Sequence, residues 1–254
     1  MPLRAHLAEL RRRFVRSALA IVVLSVAGWF LYTPLYAATT RPLDHLMDEG
    51  ILGAINFPNP VDAFNLRVQS SIVIGIVLAS PIWLYQFWAF ITPGLTLRER
   101  RSAFAFVGAA VPLFLAGAAL AWFMFPKALA FLYEFIPDGG SSFTDAATYI
   151  SFVTRIVLAF GFAFVMPVVM VSMNLAGMLP GRVLLSHWRI IVFICFLFAA
   201  VATPTPEAAS MCVLAGALCL LFGVAIGICL LADRRKARRA PDLESIPDDA
   251  ASPI

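Results

Sequence analysis

Two glutamates set among arginines are the residues of this chain best suited to bind a charged ligand. Glu9 lies in HLAELRRRF at 6–14, and Glu99 lies in YQFWAFITPGLTLRERR at 85–101. A carboxylate can accept two hydrogen bonds from the planar fork of a guanidinium, whereas a lysine ammonium offers a compact point charge. The two glutamates could therefore receive arginine side chains of a ligand. The chain's own arginines could equally neutralise them.

The first of these segments has the pattern of an amphipathic helix. Its large apolar residues recur at helical spacing on one face, at Leu3, Leu7, Leu10 and Phe14. Glu9 and Arg13 are four residues apart, so a helix would bring them together as an ion pair. An interfacial helix with a surface ion pair explains the spacing as well as a binding site does.

The composition predicts that lipid surrounds most of this chain. Of its 254 residues 61% are hydrophobic and 13% are charged, and mean hydropathy is +0.87. Soluble domains are roughly 45–50% apolar and about 25% charged. Long continuous apolar runs without period-two alternation favour a helical bundle over a β-barrel.

Six apolar runs are long enough, or nearly so, to be transmembrane helices: 17–36, 68–91, 104–125, 152–176, 189–203 and 209–232. The fifth is the shortest, because its residues span only about 22 Å at 1.5 Å each, against a hydrocarbon core of about 30 Å. Either the membrane thins around this helix, or Trp188 and Arg189 extend it into the headgroups.

The basic residues predict the orientation. Fifteen of the 19 Lys and Arg residues lie before the first run, in the second-to-third and fourth-to-fifth connections, or after the last run. Because positive residues accumulate on the cytoplasmic side, both termini are expected there, and loops 37–67 and 126–151 are expected outside. The predicted organisation is a cytoplasmic amphipathic segment at 1–16, a six-span membrane domain at 17–232, and a cytoplasmic tail at 233–254 that is basic and then disordered.

No pattern in the chain indicates catalysis. By this assignment no Asp or Glu lies within a span, and neither HExxH nor GxSxG occurs. The four cysteines sit in apolar runs without metal-ligand spacing, so neither a metal site nor a cofactor is predicted. The basic residues flank apolar runs, which argues against nucleic-acid binding. Gln69, Gln86 and Asn174, which lie within spans, are expected to form hydrogen bonds between helices.

The segments around Glu9 and Glu99 resemble the TatC family, whose members are multi-spanning receptors of the twin-arginine protein translocase. Supporting matches are Ser80-Pro81, Phe125-Pro126, YISFV at 149–153, AFGFAF before Pro167, and ATPTPE at 202–207. The resemblance implies an all-α, cup-shaped bundle of six helices with both termini in the cytoplasm. It also implies a location in the cytoplasmic membrane of a bacterium.

The resemblance further implies that twin-arginine signal peptides of folded cargo bind at the cytoplasmic face, with transport driven by the proton-motive force. The positions that match the family's binding motifs are Glu9, Glu99, Arg11, Phe90, Pro93, Gly94, Arg100 and Pro42. Implied partners are single-span proteins of the TatA and TatB type, further copies of the chain, and lipid.

Two positions depart from the family pattern. Glutamates that members usually carry within the fourth and sixth spans are replaced by Val165 and Gly223. Partner docking at Val165, Gly223 and Gly227 is therefore predicted to depend on packing, because Gly223 and Gly227 form a GxxxG pattern that permits close helix approach. Ordinary helix packing within the bundle is the alternative.

Three functions remain open at this stage. A receptor subunit for protein export requires the two glutamate segments. A six-span small-solute transporter or permease subunit requires polar groups that converge at membrane depth, and these are sparse. A divergent scaffold that has lost export activity is the third.

Overall fold

The chain folds into eight helices and one pair of short strands within the residues that the structure describes. This computed structural model describes residues 3–48, 52–91, 97–133, 141–202 and 208–239. The elements, in chain order, are α1 (Leu3–Asp48), β1 (Leu52–Asn56), α2 (Pro60–Leu78), α3 (Ser80–Ile91), α4 (Leu97–Tyr133), β2 (Ser141–Asp145), α5 (Ala146–Leu175), α6 (Gly181–Ser186), α7 (Trp188–Ala202) and α8 (Ala208–Arg239). The predicted all-helical membrane fold is confirmed, with the strand pair as an addition.

Helix α1 is much longer than the apolar run that predicts it. It has 46 residues, or about 70 Å at 1.5 Å per residue, and continues without a break through the predicted boundary at residue 16. It also extends twelve residues past the predicted end of the first span at residue 36, into what was expected to be an external loop. The amphipathic N-terminal segment is therefore the first part of the membrane helix.

The second predicted span, 68–91, is broken in the structure. Helix α2 ends at Leu78 and α3 begins at Ser80. Pro81 has no N–H to donate, so the regular hydrogen-bond ladder cannot continue through this position. The indole N–H of Trp83 donates to the carbonyl of Ile76 at 2.9 Å and satisfies one of the acceptors that the break exposes.

Several close helix contacts depend on glycine, and those of Gly75 and Gly117 are examples. A Cβ on Gly75 of α2 would lie 2.8 Å from the backbone nitrogen of Ser25 and 2.9 Å from the carbonyl oxygen of Ile21, both in α1. A Cβ on Gly117 of α4 would lie 2.5 Å from the carbonyl oxygen of Phe160 in α5. Small residues let membrane helices approach until their backbones touch, and these two contacts fix the α1–α2 and α4–α5 pairs.

Five of the described helices are long and apolar enough to cross a membrane, which makes the chain a multi-pass membrane protein. Their apolar portions are Leu7–Arg41, Pro60–Leu78, Ala103–Lys127, Ala146–Leu175 and Met211–Lys236. A shorter apolar helix, α7, has 15 residues and lies within one residue of the predicted fifth span. The short fifth helix that the sequence predicts is thus present.

The predicted interhelical hydrogen bonds are also present. The hydroxyl of Ser151 in α5 donates to Gln69 Oε1 in α2 at 3.1 Å. Asn174 Nδ2 in α5 donates to Asp233 Oδ1 in α8 at 3.0 Å, and the second oxygen of Asp233 accepts the Gly181 N–H at 2.7 Å. These bonds tie α5, α6 and α8 together.

The strand pair was not predicted. β1 and β2 pair in parallel, with Leu52 opposite Ser141 and Asn56 opposite Asp145. The pair joins the two connections that the sequence predicts to lie outside the membrane. We call the end of the bundle that carries it the ribbon end, and the opposite end, where α1 begins and α8 finishes, the basic end.

Candidate functional site

An ion pair in the first turns of α1 marks the basic end. Arg13 donates to Glu9 Oε1 from Nε at 3.0 Å and from Nη2 at 2.6 Å, as the four-residue spacing predicts. Arg13 Nη1 also donates to Gln86 Oε1 in α3 at 3.4 Å. The side chain of Arg13 is 16% exposed and that of Glu9 is 28% exposed, so the pair is shielded from most of the solvent but still reachable.

An apolar groove opens beside this ion pair. It has a volume of about 330 Å³ and lies between α1, the α2–α3 break and α5. Its lining includes Leu10, Arg13, Phe14, Gln86, Phe87 and Phe90. We call it the basic-end groove. Its polar groups, Arg13 and Gln86, lie in a wall of mainly aromatic and aliphatic side chains, which suits a ligand that has a charged part followed by an apolar part.

Trp83 holds one wall of the groove in place. Its indole N–H donates to the carbonyl of Ile76. Its ring packs edge-on against Phe114 at 5.6 Å and in a tilted arrangement against Phe162 at 5.3 Å, measured between centroids. Such aromatic contacts prefer tilted or edge-to-face geometry, as here. The wall is therefore preorganised by the same break in α2–α3 that the sequence did not predict.

The structure brings some of the predicted binding residues together. Phe90 lines the groove and is half-buried in its wall, and Glu9 is paired with Arg13, which lines the same groove. Arg11 is exposed on α1. Glu99 and Arg100 lie in the first turn of α4, but their side chains are outside the description. Two further predicted residues, Pro93 and Gly94, lie outside the described residues altogether.

Pro42 does not share this site. It lies 33 residues after Glu9 in the same helix, which is about 50 Å along the helix axis. Pro42 is thus far from Glu9 along α1, and its part in signal-peptide binding stays a prediction. The sequence indicates the same separation, because it predicts segment 1–16 in the cytoplasm and loop 37–67 outside.

The three predicted docking residues do not form one surface. Val165 is 4% exposed and packs in a cluster with Trp88, Phe106 and Phe114, so its side chain is not available to a partner helix. Gly223 is exposed and Gly227 is half-buried, and a Cβ on either would meet no atom within 4 Å. The two glycines are thus not used for close packing inside the described bundle. The docking prediction rests on them and not on Val165.

Gln86 and Arg13 both line the groove. The sequence analysis did not predict this role for either residue. Gln86 was expected only as an interhelical hydrogen-bond partner, and Arg13 only as an ion-pair partner. The available signal was their position, since Gln86 is a polar residue in the aromatic run YQFWAF and Arg13 follows Glu9 by one helical turn.

Comparison with known proteins shows the family of the chain. A family model described as "Sec-independent protein translocase protein (TatC)" matches residues 5–216. A protein of that name from Xylanimonas cellulosilytica is 47% identical over 94% of this chain and 87% of its own length. One from Aquifex aeolicus is 31% identical over 93% of this chain and 98% of its own length.

Solved structures show the same fold. A crystal structure of "Twin Arginine Translocase Receptor- TatC in DDM" superposes with a TM-score of 0.73 at 29% identity, and covers 88% of this chain and 98% of its own. A second TatC receptor crystal structure gives a TM-score of 0.69 at 28% identity, over 90% and 100% of the two chains. On the fold, the sequence match and the motifs around Glu9, the chain belongs to the TatC family of Sec-independent protein translocase proteins.

Proposed function

We propose that this chain is the receptor subunit of a twin-arginine translocase, which binds the twin-arginine signal peptides of folded proteins for export. The observation that supports this most directly is that Glu9 already holds a guanidinium at the edge of an apolar groove. A signal peptide presents the same chemistry, with arginines followed by apolar residues. The arginines would bind Glu9, together with Glu99, and the apolar residues would lie in the basic-end groove near Phe90.

The size of the expected effect follows from the type of contact. A hydrogen bond to a charged group contributes about 1.5–3 kcal/mol, and each 1.4 kcal/mol changes affinity tenfold. Loss of one glutamate should therefore weaken peptide binding by about ten- to a hundredfold. Arg100 and Arg11, which flank the two glutamates, would shape the site without binding a cationic ligand themselves.

The test is peptide binding and site-specific crosslinking on Glu9→Ala, Glu99→Ala and the double variant, each checked for membrane insertion. A twin-lysine peptide serves as the ligand control, because lysine cannot form the bidentate contact. Glu244→Ala, which removes a carboxylate of the C-terminal segment, serves as the matched control variant. Full binding and export by the double variant would show that the receptor site lies elsewhere.

A small-solute transporter is the competing function, and the structure does not favour it. A second cavity, of about 240 Å³, lies between α1, α2, α4 and α5, but its lining is almost entirely apolar. The hydroxyls of Thr39 and Thr154, which line it, donate to carbonyls of their own helices. The hydroxyl of Ser70 also lines the cavity and is buried without a hydrogen-bond partner in the part of the chain that the structure describes. No charged side chain lines the cavity among the described residues, so one hydroxyl is little to bind a polar solute with.

The proposed setting is the cytoplasmic membrane of a bacterium, with the basic end in the cytoplasm. The distribution of basic residues supports this orientation. Reporter fusions at Gly50 and Gly139 should read external, and fusions at Arg98, Arg182 and the tail should read cytoplasmic. An external tail would overturn the orientation.

Single-span proteins of the TatA and TatB type are the proposed partners. The face of α8 that carries Gly223 and Gly227 is the proposed docking surface, since it packs closely against no other described element at these two positions.

A further inference from the structure

The guanidinium beside Glu9 belongs to the receptor itself. Arg13 approaches from one turn further along α1 and places two of its N–H groups on Glu9. This is the chemistry proposed for the arginine of a signal peptide. We propose that Arg13 is a built-in competitor, which occupies Glu9 in the empty receptor and must be displaced when an arginine-bearing peptide binds. This inference rests on the proposed function.

The geometry of the pair favours displacement. Both hydrogen bonds from Arg13 end on the same oxygen, Oε1. The strongest arginine–carboxylate arrangement uses two parallel bonds, one to each carboxylate oxygen. Because Arg13 is held on the same helix as Glu9, it makes the one-oxygen contact. A peptide arginine that enters from the groove is free to form the two-oxygen contact. It can therefore replace Arg13 and bind Glu9 more strongly than Arg13 does.

Gln86 gives the displaced arginine a second partner. Arg13 already donates to Gln86 Oε1 at 3.4 Å, which is a long hydrogen bond with room to shorten. Arg13 also lines the basic-end groove, where it is mostly buried. After displacement its charge would remain hydrogen-bonded to Gln86 across α1 and α3. The exchange therefore leaves no buried guanidinium without a partner, which would otherwise oppose peptide binding.

Competition lowers the affinity of every ligand that must displace Arg13, and it does so by the same factor. A ligand with a single cation, whose contact with Glu9 is weak, would then stay largely unbound. A paired arginine motif, which can form the bidentate contact, would still bind. The ratio of the two affinities does not change.

A positioning role for Arg13 predicts the opposite result. If Arg13 only holds Glu9 in a productive orientation, Arg13→Gln should weaken peptide binding. If Arg13 competes, the same substitution should tighten binding by about 1.4- to fivefold, as expected for loss of an ion pair that solvent can reach. Competition acts on the empty receptor, so the variant should shift twin-arginine and twin-lysine peptides by the same factor. A positioning role would change the ratio of the two affinities.

The experiment measures binding of fluorescent twin-arginine and twin-lysine peptides to the full chain in lipid nanodiscs. The variants are Arg13→Gln, Arg13→Lys and Arg16→Gln. Arg16 is exposed, so Arg16→Gln makes the same charge change without removing the contact to Glu9. Tighter binding by Arg13→Gln than by Arg16→Gln, with an unchanged ratio between peptides, is the expected result. Arg13→Lys, which keeps the charge but not the fork, should also bind more tightly than the unaltered chain.

Weaker binding by Arg13→Gln, or binding equal to that of Arg16→Gln, would overturn the competitor role and leave the proposed function standing. In a Glu9→Gln background Arg13→Gln should give no further gain, and a gain there would also overturn the proposal. Failure of the unaltered chain to bind the twin-arginine peptide would instead overturn the proposed function, and the competitor role with it.

Discussion

Replacement of Gly75 by alanine tests whether backbone contact between α1 and α2 positions the wall of the basic-end groove. The added Cβ would clash with the hydroxyl of Ser25 and lie 2.8 Å from the Ser25 nitrogen and 2.9 Å from the Ile21 oxygen. Carbon atoms normally make their best contacts at about 3.5–4.0 Å. The hydroxyl can rotate away, but the two backbone atoms belong to the interior of α1 and cannot. The helices must therefore separate by several tenths of an ångström.

The matched control is Gly223→Ala. Both substitutions place alanine within a helix and gain about 1 kcal/mol of helix propensity. A Cβ on Gly223, however, meets no atom within 4 Å. Forcing a group into a filled interface costs typically about 1–3 kcal/mol. We therefore expect Gly75→Ala to be less stable than Gly223→Ala by about 1–3 kcal/mol.

The assay is unfolding of the purified chain in mild detergent, followed by circular dichroism and by the fluorescence of the tryptophans. The double variant Ser25→Ala/Gly75→Ala separates the two sources of the clash. Because the backbone contacts persist, the double variant should remain destabilised. Equal stability of Gly75→Ala and Gly223→Ala, or full rescue by the loss of the Ser25 hydroxyl, would refute the reasoning that α1 and α2 touch through their backbones.

Three further predictions concern other parts of the molecule. Leucine at both Gly223 and Gly227 should weaken co-purification with a TatA- or TatB-type partner without changing the unfolding temperature, and unchanged co-purification with normal folding would reject the docking surface. Asp233→Ala should destabilise the chain by about 1–3 kcal/mol, since it removes the acceptor of the Gly181 N–H and one of the two acceptors of the Asn174 amide. An unaltered thermal unfolding curve would contradict this. Hydrogen bonds from Thr148, first from its hydroxyl and then from its backbone N–H, lower the pKa of Asp145, which caps α5. The stability that this cap contributes is therefore complete above the unfolded pKa of about 4 and is lost as pH falls through the lowered folded value. The difference in unfolding temperature between the unaltered chain and Asp145→Ala should be largest at neutral pH and shrink in acid, and a difference that stays constant down to about pH 2 would contradict the assignment.

The spans were predictable from sequence because hydropathy alone determines which segments enter lipid. Their boundaries were less predictable. The break between Leu78 and Ser80 lies inside a continuous apolar run. Proline is tolerated there if the carbonyls freed by the break find other donors, and the side chain of Trp83 is the donor to the Ile76 carbonyl. The extension of α1 to Asp48 was missed because the helix leaves the apolar run and continues through polar residues.

Parts of the candidate site were predictable for the same local reason. The Glu9–Arg13 pair follows from helical spacing within one segment. Gln86, which also contacts Arg13, lies 73 residues further along the chain in another helix, and no local sequence pattern predicts that contact. The burial of Val165 likewise depends on how α3, α4 and α5 pack together. The spacing of apolar residues and the composition of the chain do not determine this packing.

The strand pair at the ribbon end has a consequence for biogenesis. Its partners, residues 52 and 141, are separated along the chain by α2, α3 and α4. During synthesis β1 is made long before β2. The two strands therefore cannot pair until α2, α3 and α4 have been synthesised and inserted into the bilayer. When the strands pair, their backbone hydrogen bonds join the α1–α2 connection to the α4–α5 connection. To separate the two connections, these hydrogen bonds must then be broken. The strands can therefore pair only late in synthesis. A nascent chain that ends before residue 141 has its first three membrane segments but lacks β2, so these segments are not stabilised by the strand pair.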